Sequence, residues 1–340
     1  MAKTSPLTYT CPMNYLVTGA TGFIGNALTQ ALKERNKNVY GLVRKAEQAE
    51  LLRMDDIDCR VGDLRDKSSL RSAFKDMHVV VHTAGLVSDW GRPEEFVQVN
   101  FHGTRNVLEA CSEMNVKRVI HISTADIFGY QVDHPINENS PISRTSFWYT
   151  KSKIMAEELV RQHAIKRELE ITIVYPTWVY GKGDRHFVPE IIKGIRSRQL
   201  VFFGKNGKTF FGLSYIENLC QAICFLMDHP GSVGERFLVS DEPQMTFHEF
   251  VNTLARRIGC KEIRMSLPYW LAYLVACMME LGYTALRKEE RPLLTRYAVT
   301  WFGHSILYDT TKLRSLGFKQ AYSTQEGIEK AISHLALNGL

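Results

Sequence analysis

The chain has 340 residues, 45% of them apolar and 23% charged, an ordinary balance for a globular protein that can bury a full core. Its formal net charge is +6, with 36 acidic residues spread among 42 basic ones. No cationic stripe or run stands out, which speaks against nucleic-acid binding. Seven cysteines (Cys11, Cys59, Cys111, Cys220, Cys224, Cys260 and Cys277) form no C-x-x-C pair and no zinc-spaced set. They read as free thiols in a reducing compartment, with no metal site. Residues 1–13 lack an apolar core and a small-residue cleavage site, so they read as a loose leader of a cytoplasmic protein.

Short apolar runs then alternate with helical stretches. Strands are expected at 15–18, Asn38–Val43, Asp58–Val61, Val79–His82, Arg118–Ile122 and 170–175. Helices are expected at 23–35, 94–114 and 149–163. The alternation argues for βαβ units and a parallel sheet, and the unbroken apolar runs suit strands covered on both faces. After Tyr175 the regularity fades. Residues 176–184 read as a turn-rich loop, and later segments mix helices with short strands. The fold class is therefore α/β, a Rossmann-type doubly wound parallel sheet with a smaller C-terminal substrate-binding region.

Thr18-Gly19-Ala20-Thr21-Gly22-Phe23-Ile24-Gly25 follows the first strand and opens the first helix. Gly19 permits a tight turn, Gly22 lets backbone approach a pyrophosphate, and Gly25 allows close helix packing. The helix start from Thr21 to Ile24 then offers free N–H groups to phosphates. An NAD site usually ends its second strand on an acid that binds the ribose hydroxyl. Here that strand ends in Arg44-Lys45, and a guanidinium suits a 2′-phosphate. NADP(H) is the expected cofactor, with NAD(H) as the alternative, and a core over 13–180 binds it. Residues 181–335 form mainly the substrate region, with some segments returning to the core.

Tyr149-Thr-Lys-Ser-Lys153 places a phenol and an ammonium at i and i+4, on one face of a helix. A cation beside the phenol is expected to lower its pKa toward neutrality. Ser123-Thr124 falls at the C-terminal end of a strand, where such sheets bind ligands and a hydroxyl can polarise a substrate oxygen.

Together these segments resemble the extended short-chain dehydrogenase/reductases. The likeness rests on the glycine loop, Gly62-Asp63-Leu64, His82-Thr-Ala-Gly85, Asn100-x-x-Gly-Thr104, Ser123-Thr124, the Tyr149/Lys153 pair and Pro176-x-x-Val-Tyr-Gly181. It covers roughly residues 13 to 330. The resemblance implies Thr124, Tyr149 and Lys153 as catalytic residues, with Ser123 the alternative hydroxyl. It implies a cofactor lined by Asp63, Leu64, Thr83, Ala84, Gly85, Asn100, Pro176 and Val179. Two departures stand out: Thr124 where serine is commoner, and Tyr175 where many relatives have arginine.

Phe210 and Phe211 stand where sugar-nucleotide relatives commonly present an arginine. The late segments 291–296 and 308–312 look instead like the 3β-hydroxysteroid dehydrogenase and long-chain 3-oxo acid reductase branch. Residues 267–283 carry one charge, Glu280. They suit a core helix, a lid over a greasy substrate or a membrane-surface contact better than a span. The expected activity is alcohol–ketone interconversion on a hydrophobic substrate. A sugar-nucleotide epimerase/dehydratase, a dihydroflavonol reductase-like enzyme and a non-catalytic NADP-sensing scaffold are the competing readings. A homodimer and a peripheral membrane contact through 267–283 are the partner expectations.

Overall fold

The computed structural model describes residues 13–130, 134–166 and 169–337. The expected leader and Cys11 lie outside the described residues. In chain order come β1 (Asn14–Thr18), α1 (Phe23–Glu34), β2 (Asn38–Val43), α2 (Ala49–Arg53), β3 (Asp58–Val61) and α3 (Lys67–Phe74). β4 (Val79–His82), α4 (Pro93–Phe96), α5 (Gly103–Glu113), β5 (Arg118–Ile122), α6 (Trp148–Ile165) and β6 (Glu170–Pro176) follow. Next are β7 (Trp178–Tyr180), α7 (Phe187–Arg196), β8 (Phe202–Phe203), β9 (Phe210–Phe211), β10 (Leu213–Tyr215), α8 (Ile216–Asp228) and β11 (Arg236–Val239). The last are β12 (Met245–Thr246), α9 (Phe247–Arg257), β13 (Ser266–Leu267), α10 (Tyr269–Ala285), α11 (Arg296–Gly303), α12 (Thr311–Ser315) and α13 (Thr324–Leu337).

Seven parallel strands form the main sheet in the order β11-β6-β5-β4-β1-β2-β3. The order reverses between β1 and β4, and the strand ends there open the crevice in which such sheets bind ligands. Thr18 lies opposite His82, and His82 opposite His121, so three strand ends meet at one level. Alternate residues enter two apolar layers. Tyr15, Val17, Val79, Val81, Ile120 and Ile122 point into one, and Leu16, Val80, Val119, Ile171 and Ile173 into the other. Full burial is worth ~1.5–3 kcal/mol for each large side chain, which is why neither face of these strands carries a polar alternation.

The expectations for the strands hold to within a residue at either end. The stretch 94–114 is α4, a π-helical segment Val97–His102 and α5 in succession. No helix was expected at 67–74, where Asp66 accepts from the Ser68 N–H and caps α3. Residues 176–184 are not simply a loop. β7 lies within them, because Trp178 to Tyr180 pair with Leu213 to Tyr215. A strand of three residues whose partner is so far along the chain leaves no local pattern. β11 returns from the C-terminal half to the sheet edge beside β6.

The apolar segment 267–283 becomes α10, and it is not a core helix. Only Ala272 and Ala276 are buried, while Trp270, Leu274, Met278 and Leu281 are exposed. Among the described residues no helix is long and apolar enough to cross a membrane.

Candidate active site

At the switch point β1 runs through the glycine loop into α1. Gly19 has φ +70°, which costs an L side chain strain, and a Cβ there would lie 2.9 Å from Ala84 Cα. A Cβ on Gly25 would lie 2.1 Å from the Gly19 carbonyl oxygen, so α1 sits directly on the loop backbone. Gly22 caps α1 with no side-chain bond, and the first turn carries no acid. Thr21 and Gly22 are exposed, with Phe23 and Ile24 half-buried. The Gly22 N–H is spent on the Gly19 carbonyl at 2.8 Å, and the first-turn N–H groups after it, with the positive end of the helix dipole, face a cradle that a Cβ on Gly19 or Gly25 would disrupt. That donor set fits a dinucleotide pyrophosphate.

Arg44 is exposed at the end of β2. The Asp63 carboxylate bonds the Arg65 guanidinium at 2.6 Å, and this bond, aided by the Arg44 charge, holds it below the usual carboxylate range. Leu64 is buried, and its carbonyl accepts from Asn106 at 2.7 Å.

A buried polar chain ties the crevice walls together. The Ala84 N–H donates to Thr18 Oγ1 at 3.2 Å, and that oxygen lies 2.8 Å from His82 Nδ1. His82 Nε2 is 3.0 Å from Thr104 Oγ1, whose hydroxyl donates to the Asn100 carbonyl at 2.6 Å. The Asn100 side chain accepts from Leu86 N at 2.7 Å and donates to Leu86 O and to Ser152 Oγ at 3.0 and 2.9 Å. Asn100 is thus fully engaged in joining the loop after β4 to α6. Thr83 Oγ1 donates to the Thr18 carbonyl at 2.6 Å, and Gly85 is exposed. Burial and the nearby Lys153 charge hold His82 down at about 3, so its ring is neutral.

Tyr149 opens α6 with its phenol beside the hydroxyl of Thr124, which caps a 3-10 turn after β5. Ser123 instead donates to Glu157 at 3.0 Å, so Thr124 is the hydroxyl at the phenol. Lys153 Nζ donates to the Ile122 carbonyl at 2.8 Å. Burial pulls its pKa down to about 8, against the pull of Glu157 one turn along. Pro176 is buried at the end of β6, and Val179 is half-buried in β7.

The NAD dependent epimerase/dehydratase family matches residues 15–240. The chain belongs to that family. Within it the chain is an extended short-chain dehydrogenase/reductase, with relatives in the steroid dehydrogenase and 3-oxo acid reductase branch. It is 26% identical to the 2-alkyl-3-oxoalkanoate reductase of Shewanella oneidensis, over 92% of this chain and 84% of that one. It is 23% identical to the mouse sterol-4-alpha-carboxylate 3-dehydrogenase (decarboxylating), over 93% and 89% of the two chains. Its fold matches that of a double mutant of the dTDP-glucose 4,6-dehydratase DesIV from Streptomyces venezuelae, a structure with bound NAD. The TM-score is 0.77 at 20% identity, covering 96% of this chain and 98% of that one.

One expectation for this family member fails. The phenol of Tyr149 is pushed up, not down, by burial first and then by the nearby carboxyl of Asp126, while the neighbouring Thr124 hydroxyl opposes the shift. Asp126 was not anticipated, nor was Tyr297, whose hydroxyl donates to it from α11. Burial raises the Asp126 carboxyl to about 6, with the Tyr297 bond opposing. Phe147 and Trp178 flank Tyr297, with ring centroids at 5.2 and 6.4 Å. Tyr175, at the position where arginine is commoner, is buried and donates to Glu157 at 2.6 Å. It therefore faces the interior and offers the crevice no cation. A cavity of about 450 Å3 lined by Asp241, Arg314 and Gln320 includes none of these site residues.

Proposed function

We propose that the protein is an NADP(H)-dependent oxidoreductase that interconverts a secondary alcohol and a ketone on a hydrophobic substrate, of the sterol 3β-hydroxy or long-chain 3-oxo acid type. The observation that carries this is the Tyr149 phenol standing beside Thr124 at the end of β5, one helical turn from Lys153. The glycine cradle at Gly19, Gly22 and Gly25 would hold a nicotinamide cofactor, which would supply or take up the hydride. The proton is the protein's task. In reduction the Tyr149 hydroxyl donates to the oxygen that gathers charge, and Thr124 holds that oxygen with a second hydrogen bond. Burial and Asp126 keep the phenol protonated, which favours the donor role and hence ketone reduction. Lys153, fixed on the Ile122 carbonyl, keeps a positive charge beneath the site and offers donors to a cofactor ribose.

Arg44 supports the choice of NADP(H), since no acid stands at the end of β2 to repel a 2′-phosphate. Aromatic rings support an apolar substrate: Phe147, Trp178 and Tyr297 border the Asp126 side of the site. Phe210 and Phe211 in β9 and the inward-facing Tyr175 offer no cation to a sugar diphosphate. The relatives named above act, by their names, on an alkyl 3-oxo acid and on a sterol carboxylate.

Purified protein tests the reading by NADPH consumption with 3-oxo acids of increasing chain length, sterol ketones and UDP-sugars. Turnover should rise with hydrocarbon length and vanish in Tyr149→Phe. Sugar conversion without net NADPH use would establish epimerisation instead. Cofactor binding without turnover on any member of the panel would favour a sensor.

A further inference from the structure

We infer that the outer face of α10 is a docking surface for an anionic lipid bilayer, on which the protein lies without crossing it. At 100° per residue Trp270, Leu274, Met278 and Leu281 fall within an arc of about 80°. Their exposures are 66, 48, 56 and 70%. Ala272 and Ala276, on the opposite side, pack with Phe203 and Val299. Glu280, the only charged residue of the helix, is turned inward, accepting from the Arg296 backbone N–H at 2.7 Å and from its guanidinium at 2.5 Å. The outer face is therefore uncharged.

Exposed single apolar residues are common on any protein, but these cluster. Of the fifteen large apolar side chains exposed among the described residues, seven lie between Met265 and Leu293. Charges flank them: exposed Lys261 and Arg264 precede the helix, with Glu262 between them paired to Arg256 at 2.7 Å, and exposed Arg287 and Lys288 follow it beside exposed Glu289 and Glu290. An apolar stripe with a basic N-terminal end is what an anionic membrane surface attracts, and Trp270 at that same end suits the headgroup boundary. The helix has 17 residues, roughly 25 Å, which is short of the ~30 Å hydrocarbon core.

A second copy of the chain fits less well. The stripe is four side chains on one helix, against ~20–30 residues a side in a standard interface.

The helix is also fixed to the crevice wall. It packs on α11, which carries Tyr297 to Asp126. Tyr283 stands edge-on to Trp90 at 6.3 Å, and Arg291 and Thr295 hold Asp89 in the same loop after β4. A hydrocarbon substrate leaving the bilayer meets the active site along this wall. Docking itself is independent of the redox reading, and only this last step rests on it.

Flotation of the full chain with phosphatidylcholine vesicles, with and without about one-third phosphatidylserine, tests the proposal. The wild type should float with the anionic vesicles and be released by raised salt. Leu274→Glu with Met278→Glu should lower the bound fraction at least ~10-fold, while turnover of a short, water-soluble ketone stays unchanged. Should the double variant not fold, Trp270→Ala should give a smaller loss in the same direction. A wild type that ignores both vesicles overturns the proposal, as does equal binding by the folded double variant. So does a wild-type dimer in sedimentation that the double variant abolishes, for then the face is a contact between copies. The flotation and sedimentation readouts are taken without cofactor, so a failed redox assignment leaves them unaffected.

Discussion

Asp126→Asn removes a buried charge but keeps an acceptor for the Tyr297 hydroxyl. Burial moves this carboxyl from 3.8 to about 6. The folded chain thus keeps its proton to higher pH than the unfolded chain does. Between these two values the native state binds more protons, so the contribution to stability falls as pH rises. Above about pH 6 the wild type bears the full cost of a buried carboxylate, near two pH units or ~3 kcal/mol. Asparagine avoids that cost. For a chain of this size ~3 kcal/mol corresponds to a Tm change of about 4 °C as an upper figure. Thermal unfolding of both proteins across a pH series reads it directly. The gap should open between about pH 4 and 6 in favour of the variant and stay constant above. A pH-independent gap, or a variant less stable than wild type above pH 6, would refute the reasoning. Because Asp126 also raises the Tyr149 phenol, the pH profile for alcohol oxidation should move to lower pH in the variant.

Three further outcomes follow from the site. Tyr149→Phe should lower kcat by ~10²–10⁴-fold and leave the NADPH Kd nearly unchanged, since only the proton-transfer group is lost; titration calorimetry separates the two. Arg44→Asp should narrow or reverse a preference of kcat/KM for NADPH over NADH, and equal use of both cofactors by the wild type would remove the role given to Arg44. Gly25→Ala would force the Gly19 carbonyl away from a Cβ that falls 2.1 Å from it. NADPH binding should weaken at least ~10-fold with the loss of the phosphate cradle, and an unchanged Kd would contradict that geometry.

What the chain shows locally was legible in the sequence. β2, β4 and β5 lie over their mainly apolar runs, because residues buried on both faces leave no polar alternation to blur the edges. The glycine loop was legible for a similar reason, since each glycine answers a constraint within seven residues. Features made by distant partners were not. β7 exists through β10, and Asp126 meets Tyr297 across 171 positions. The Tyr149 expectation failed on the same ground. Spacing placed Lys153 near the phenol, but it could not show that Lys153 is held by the Ile122 carbonyl or that a carboxyl stands closer in effect. For α10, composition revealed a greasy helix, and only the packing of Ala272 and Ala276 fixed which side faces out.

The neutral ring of His82 carries one proton, and its neighbours decide where that proton sits. Thr104 spends its hydroxyl hydrogen on the Asn100 carbonyl, so its oxygen can only accept from Nε2–H. Nδ1 must then accept from Thr18, whose oxygen is left to receive the Ala84 N–H. Every donor in the row points the same way, and reversing any one would leave another without an acceptor. A row with a single satisfiable polarity has no second arrangement to fluctuate into. Above about pH 3, where the ring stays neutral, the loop after β4 and the π-helical segment keep one relative alignment. The crevice between the loops after β1 and β4 therefore meets its ligand with this wall already set.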